Sequence, residues 1–217
     1  MRMRKKHNRD ERLEKVSARL VKEPCEYKGK WKEIFGNDNP IHIEIGCGKG
    51  KFISEMASLN PDINYIALDI VPDVVLMALE KTDADDYDNL LFVIADASKL
   101  FDYFKKDEIE RIYLNFSDPW KKNKQAKRRL THQNFLNVYK QVLIKNGCIC
   151  FKTDNKNLFE FSLNSFCADR DFIMSDITLD LHNSKFEGNV MTEYEQKFSE
   201  MGMPIYRLVA KYINEEK

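Results

Sequence analysis

The chain is predicted to be an α/β protein built on an open, mostly parallel seven-stranded sheet with helices on both faces. Three observations carry this prediction. Apolar runs of strand length alternate with helix-spaced apolar patterns through most of the 217 residues. Several of the runs are almost wholly apolar, as strands covered on both faces must be. Four of them in succession carry an acid at or just beyond their carboxyl end, where ligands bind in such sheets.

Ile41, Ile43 and Ile45 alternate with His42 and Glu44, and Gly46-Cys47-Gly48-Lys49-Gly50 then breaks the strand. Phe52, Ile53, Met56 and Ala57 follow at helical spacing until Asn60-Pro61 stops them. Tyr65–Leu68 forms a second strand ending at Asp69, and Pro72 opens a helix with Val74, Val75, Ala78 and Leu79 on one face. The third strand, Leu90–Ala95, ends at Asp96, and the fourth, Ile112–Phe116, at Ser117-Asp118. Phe135, Val138, Tyr139, Val142 and Leu143 mark a helix that Asn146-Gly147 is expected to cap. Cys148–Lys152 is the fifth strand, and a helix through Leu158, Phe161, Ser162 and Phe166 follows. Phe172–Leu181 and Ile205–Tyr212 complete the seven.

Lys+Arg and Asp+Glu both total 35, so any polyanion must be met by a local patch and not a global field. That patch is Lys121–Arg129, which holds six Lys or Arg and no acid. It follows Asp118-Pro119-Trp120, an acid and an indole suited to a planar hydrogen-bonding group. A base-sized pocket beside a phosphate-sized charge patch indicates chemistry on a nucleic acid. Residues 1–30 are expected to form a basic arm (Arg2, Arg4, Lys5, Lys6, Arg9, Arg12, Lys15) and a short helix, with one catalytic domain over 31–217. The five cysteines show no Cys-x-x-Cys pair and no His at ligand spacing, which argues against a zinc site or disulfide framework and suits a reducing cytoplasm. No apolar run approaches the ~18 residues of a membrane span, and no apolar segment follows the basic N-terminus to make a secretory signal.

Glu44, Asp69, Asp96 and Asp118 can converge on one crevice at the carboxyl ends of the sheet. The glycine loop narrows the ligand. A dinucleotide fingerprint is Gly-x-Gly-x-x-Gly; here the third glycine comes one place early and Lys51 stands where a small residue is expected. Gly46, Gly48 and Gly50 suit instead the close approach of a compact amino-acid moiety without pyrophosphate. Asp69 is placed to accept from a ribose diol and Asp96 from an exocyclic adenine amine. Ribose, adenine and an amino-acid end describe S-adenosylmethionine. Other readings of these residues are an exocyclic-amine methyltransferase of the Asn/Asp-Pro-Pro-Tyr type, a nicotinamide-dependent dehydrogenase, and an RNA-binding protein without catalysis.

From about residue 41 to 212 the chain resembles the bacterial tRNA (guanine-N7)-methyltransferases of the TrmB type. The resemblance rests on Glu-Ile-Gly-Cys-Gly-Lys-Gly (44–50), Ala-Leu-Asp (67–69), Ala-Asp-Ala (95–97) and Asn-Phe-Ser-Asp-Pro-Trp (115–120). It continues in Lys-Arg-Arg-Leu (127–130), Thr-Asp-Asn (153–155), Thr-Glu-Tyr-Glu-Gln-Lys-Phe (192–198) and Gly-Met-Pro-Ile-Tyr (202–206). It implies a Rossmann-like class I methyltransferase fold and transfer from S-adenosylmethionine to N7 of guanine 46 in the tRNA variable loop. Glu44, Gly46, Gly48, Gly50, Asp69, Asp96, Ala97 and Asp118 would then line the donor site, with Asp118 also the catalytic residue, an acceptor that orients the base. Lys122, Asp154, Thr192, Glu193, Tyr194 and Glu195 would meet the substrate, and Lys124, Lys127, Arg128 and Arg129 the RNA. The Thr-Glu-Tyr-Glu segment also has the form of a helix-start capping box. The chain departs from the family at Lys121, Lys124 and Gln125, where Pro and an Arg-His pair are usual; Lys supplies charge without the bidentate fork of Arg. Asp69 stands where Glu is often found. The resemblance implies tRNA as partner, no metal, a cytoplasmic location, and a monomer or homodimer.

Overall fold

The computed structural model describes residues 8–83, 85 and 87–213. Arg2, Arg4, Lys5 and Lys6 of the basic arm therefore lie outside the described residues. The strands are β1 (Leu20–Val21), β2 (Ile41–Ile45), β3 (Asn64–Asp69), β4 (Leu90–Ile94), β5 (Ile109–Asn115), β6 (Leu143–Thr153), β7 (Phe172–Thr178) and β8 (Tyr206–Tyr212). Eight helices accompany them among the described residues: α1 (Arg9–Lys15), α2 (Trp31–Phe35), α3 (Lys51–Leu59), α4 (Pro72–Thr82), α5 (Leu100–Tyr103), α6 (Gln133–Tyr139), α7 (Lys156–Ala168) and α8 (Glu193–Glu200).

The strands form one sheet in the order β1-β4-β3-β2-β5-β6-β8-β7. Pairings from β1 through β6 are parallel, and β8 runs antiparallel between β6 and β7. Strand order therefore reverses between β2 and β5, and the crevice beyond their carboxyl ends is where a ligand fits. Burial alternates as a two-faced sheet requires. Tyr65 and Ala67 of β3 join a core with Phe52, Ile53, Val75 and Leu79 of α3 and α4, while Ile66 and Leu68 join one with Leu136, Tyr139, Phe159 and Phe166 of α6 and α7.

Three details differ from the sequence-based expectation. The sheet has an eighth strand, because Leu20–Val21 pairs with Phe92 and Val93 of β4. Two residues carry no periodicity, and this pairing brings the segment before residue 31 into the body of the fold. Asn146-Gly147 does not cap a helix, since α6 already ends at Tyr139. It lies within β6, with Asn146 at φ 67°, beside a break in the β5–β6 register between Ile109 and Arg111. A Cβ on Gly147 would sit 2.8 Å from the Glu110 carbonyl oxygen, so glycine is needed there for close backbone approach. β7 stops at Thr178 and not Leu181: Asp176 (φ 49°) makes an irregularity within it, pairing resumes at Thr178 opposite Arg207, and β8 begins only one residue before Arg207, at Tyr206.

Candidate active site

The predicted strand-end acids lie along one edge. Glu44 is inside β2, Asp69 ends β3, Asp96 follows β4 and Asp118 follows β5, and these strands are parallel neighbours. Asp69, Asp96 and Asp118 border a cavity of about 1020 Å³, whose lining also includes Gly46, Gly48, Ala97, Trp120, Lys127 and Arg128. Leu68, Val71, Val74, Phe135 and Val138 supply much of its apolar lining. Burial raises the Asp69 carboxyl above its ordinary range, and the nearby Asp118 charge adds to this. Asp69 Oδ1 accepts from the Val71 amide at 2.9 Å, and Asp96 Oδ1 from the Ser98 amide at 2.8 Å, which fixes both carboxylates at the cavity rim.

Glu44 differs from the other three. It is 1% exposed and lines a second cavity of about 410 Å³ that shares Gly46 and Gly48 with the first. Asn115 Nδ2 donates to its Oε1 at 2.8 Å, while Oε2 is buried with no partner. Burial pushes its carboxyl up to about 8, against the pull of Asn115 and Lys152. The three loop glycines also divide. Gly46 (φ +79°) and Gly48 (φ +55°) would carry a Cβ into open space at the cavity, whereas a Cβ on Gly50 (φ +78°) would sit 3.0 Å from the Ala78 Cβ. Gly50 touches neither cavity; it packs α3 against α4.

The opposite wall is made of loops. Asp118 is exposed and is flanked by two non-glycine residues in the left-handed region, Phe116 (φ 51°) and Trp120 (φ 42°). Such conformations cost energy and gather where side chains must be aimed. The Phe116 amide donates to the Lys152 carbonyl, and its ring packs 5.2 Å from Tyr194. Both Asp118 and Asp154 act electrostatically on the Tyr194 hydroxyl, whose pKa rises chiefly through burial. Trp120 carries the Arg128 guanidinium over its ring at 4.9 Å. Lys122, Lys124, Lys127 and Arg128 are exposed. Arg129 instead donates to the Pro119 and Trp120 carbonyls at 3.0 and 3.1 Å and lies 4.4 Å over Phe161. Its guanidinium ties down the loop that bears Asp118, and it is half-buried where the other four cations are exposed.

Glu195 also departs from expectation. It is fully buried, and Lys152 Nζ donates to its Oε2 at 2.6 Å. Asn189 Nδ2 donates to its Oε1 at 2.7 Å, and His182 Nε2 lies 3.2 Å from the same oxygen. Lys152 Nζ reaches the Val190 carbonyl and Asn189 Oδ1 as well. This saturated network pins residues 182–195 onto β6 and leaves Glu195 no free oxygen for a substrate. Thr192 caps α8 by accepting from the Glu195 amide at 2.9 Å, so one half of the capping box is present. Thr192, Glu193 and Tyr194 line the second cavity.

Residues 38–208 match a family described as "Putative methyltransferase". The tRNA (guanine-N(7)-)-methyltransferase of Listeria monocytogenes is 53% identical over 212 residues, spanning 98% of this chain and 99% of that protein. The chain belongs to the bacterial tRNA (guanine-N7)-methyltransferase family. The protein of the same name from Brevibacillus brevis is 57% identical over 195 residues, covering 89% of this chain and 91% of that one. Among solved structures, a 16S rRNA (adenine(1408)-N(1))-methyltransferase with cosubstrate SAM from Catenulisporales acidiphilia superposes with a TM-score of 0.60. That match covers 87% of this chain and 92% of the other at 10% identity, and shows a shared fold.

Two residues that frame this family site were not singled out from the sequence. Asn115 holds Glu44, and its signal was its place in the Asn-Phe-Ser-Asp-Pro-Trp run. Lys152 holds Glu195; a lysine within an apolar strand signals an acidic partner elsewhere, since unpaired buried cations are rare. Among the described residues no group of three or more His, Cys, Asp or Glu is arranged to hold a metal, and no helix is long and apolar enough to cross a membrane.

Proposed function

We propose that this chain transfers the methyl group of S-adenosylmethionine to N7 of guanine 46 in the variable loop of tRNA, in the cytoplasm. The observation that carries the reading is that one cavity is bordered by Asp69, Asp96 and Asp118 together with the exposed cations Lys127 and Arg128. The donor fits the residues present. Gly46 and Gly48 leave open space that any side chain would fill, the unpaired Glu44 Oε2 suits a cationic amine, and the apolar part of the lining suits an adenine. Asp69 would hold the ribose hydroxyls and Asp96 the adenine amine. The bound donor supplies an electrophilic methyl carbon on a sulfonium.

Guanine N7 has an in-plane lone pair, so the protein need remove no proton before attack. Its task is to align the reacting atoms within ~3–3.5 Å, which is worth roughly 7–11 kcal/mol of barrier. Asp118 orients the base by accepting from N1–H and the N2 amine, and its charge favours the cation that the purine becomes. Asp154, whose charge acts with that of Asp118 on the Tyr194 hydroxyl, and Thr192 would share in holding the base, and Tyr194, packed on Phe116, would offer it an aromatic wall. Lys122, Lys124, Lys127 and Arg128 meet the phosphates.

The test is to incubate unmodified tRNA with the protein and labelled donor, digest it, and identify the product nucleoside. 7-Methylguanosine at position 46 is expected. An N-methylated adenosine or cytidine would replace this reading with exocyclic-amine transfer, and no label in RNA would remove it.

A further inference from the structure

The second cavity meets the first at Gly46 and Gly48 but is bordered by a different set of charges. Lys49, Lys51 and Lys197 stand on its rim, and none of them belongs to the cation run at 121–129. Lys81 lies just outside. Glu193 is the exposed acid among them: its carboxylate oxygens sit 3.3 Å from Lys49 Nζ and 2.7 Å from Lys81 Nζ. Lys51 donates to a neutral partner, Gln196 Oε1, at 3.1 Å. The other acid lining the cavity, Glu44, is buried and held toward its protonated form. Beside these cations Tyr194 is 47% exposed and packs at a tilt against Phe116 and Phe198. Cations that track a backbone next to an exposed aromatic face are the pattern of single-stranded nucleic acid sites.

We propose that this rim is a second RNA site, in which Lys49, Lys51 and Lys197 bind successive backbone phosphates next to the target nucleotide and Glu193 is the internal counter-ion that the phosphates displace. The proposal rests on the reading of the chain as a tRNA methyltransferase. Exposed lysine–carboxylate pairs hold weakly, and a polyanion that releases counterions on binding outcompetes one carboxylate. The RNA is then gripped from both sides of the cleft: by 121–129 at the large cavity and by this rim at the small one. Glu193, expected from the sequence to touch the substrate, works against binding until it swings away.

An anion here has two sources, an RNA phosphate or the carboxylate of the methyl donor, and the test separates them. Affinity for an unmodified tRNA transcript is measured against salt for wild type, Lys49→Gln/Lys197→Gln and Glu193→Gln, alongside donor affinity by calorimetry. The double variant is expected to lower the slope of log affinity against log salt by about 1.4–1.8 in magnitude, at 0.7–0.9 per lost phosphate contact, with donor affinity unchanged. Glu193→Gln is expected to bind tRNA more tightly than wild type. A fall in donor affinity with an unaltered RNA slope would assign the lysines to the donor carboxylate and overturn the proposal. So would weaker tRNA binding by Glu193→Gln. If wild type methylates tRNA while the slopes agree, only this site falls; if wild type neither binds nor methylates tRNA, the functional reading falls with it.

Discussion

The two walls of the cleft are built by different means. The proposed donor wall is regular: β2, β3 and β4 are parallel, and Glu44, Asp69 and Asp96 come to one edge in steps of two residues, Glu44 level with Ala67 and Asp69 level with Ile94, so that all three share one face of the pleat near the strand ends. The substrate wall is irregular. Asp118 is aimed by a loop with two left-handed residues, and Thr192 and Tyr194 are held by a buried ion pair between residues 43 positions apart. The donor wall stands on backbone pairing, whereas the substrate wall depends on a few side chains, so single substitutions should damage the two in different ways.

The largest effect is expected at Asp118. Asp118→Asn should lower turnover by about 10²–10³-fold, the loss seen when one preorganised electrostatic contact is removed, with donor affinity and RNA affinity within a few fold of wild type. Single-turnover methyl transfer reads this directly, and near-normal turnover would show that the substrate wall does not govern the chemistry.

Next comes the pin behind that wall. Lys152→Met strands a fully buried carboxylate, which is expected to cost roughly 3–5 kcal/mol of stability by thermal unfolding. Lys152→Met/Glu195→Leu should recover much of that stability, because an apolar pair replaces the ionic one. Methyl transfer should stay low in the double variant, since Asn189 loses its anchor and Thr192 and Tyr194 their placement. Full activity there would mean that the network supports the fold alone.

Within the donor wall the glycines offer a sharper comparison. Gly50→Ala should destabilise the protein by ~1–3 kcal/mol by pressing on Ala78 at a positive φ, with donor affinity little changed. Gly46→Ala meets no protein atom, so its mark should be weakened donor binding beyond its backbone strain. Equal donor losses in the two would erase the distinction.

The smallest effect is a proton. Without donor the Glu44 carboxyl titrates at about 8, above its ordinary 4.5. Its contribution to stability is therefore complete below about pH 4.5 and lost as pH rises through about 8. An amine beside Oε2 favours the anion, so donor binding at pH 7 should release up to one proton, seen as calorimetric heat that varies with buffer ionisation enthalpy. Buffer-independent heat would separate Glu44 from the donor.

What the sequence disclosed follows the same division. The parallel sheet and its strand-end acids were legible because apolar runs ending in acids are local signals, as at Tyr65–Asp69. The eighth strand was not, because Leu20–Val21 is too short to show a period and exists only through β4. Asn146-Gly147 has the composition of a helix cap, and only the close approach of the Glu110 carbonyl distinguishes the bulge it forms. Glu195 reads as a ligand-facing charge, since the chain does not reveal that the ammonium of Lys152 already occupies it, and the hold of Arg129 on the carbonyls of Pro119 and Trp120 is equally silent in the sequence. Charged side chains satisfied by contacts that only the folded chain makes are the class that pattern reading misses.

The central claim is that one methyl donor lies across Gly46 and Gly48 with its polar groups on Asp69 and Asp96 and its reactive end toward Asp118. A crystal structure of the protein with S-adenosylhomocysteine tests it most directly. Density is expected along the 1020 Å³ cavity, with the ribose hydroxyls on Asp69 and the adenine between Val71 and Phe135. A nucleoside lodged anywhere outside that cavity would contradict the account.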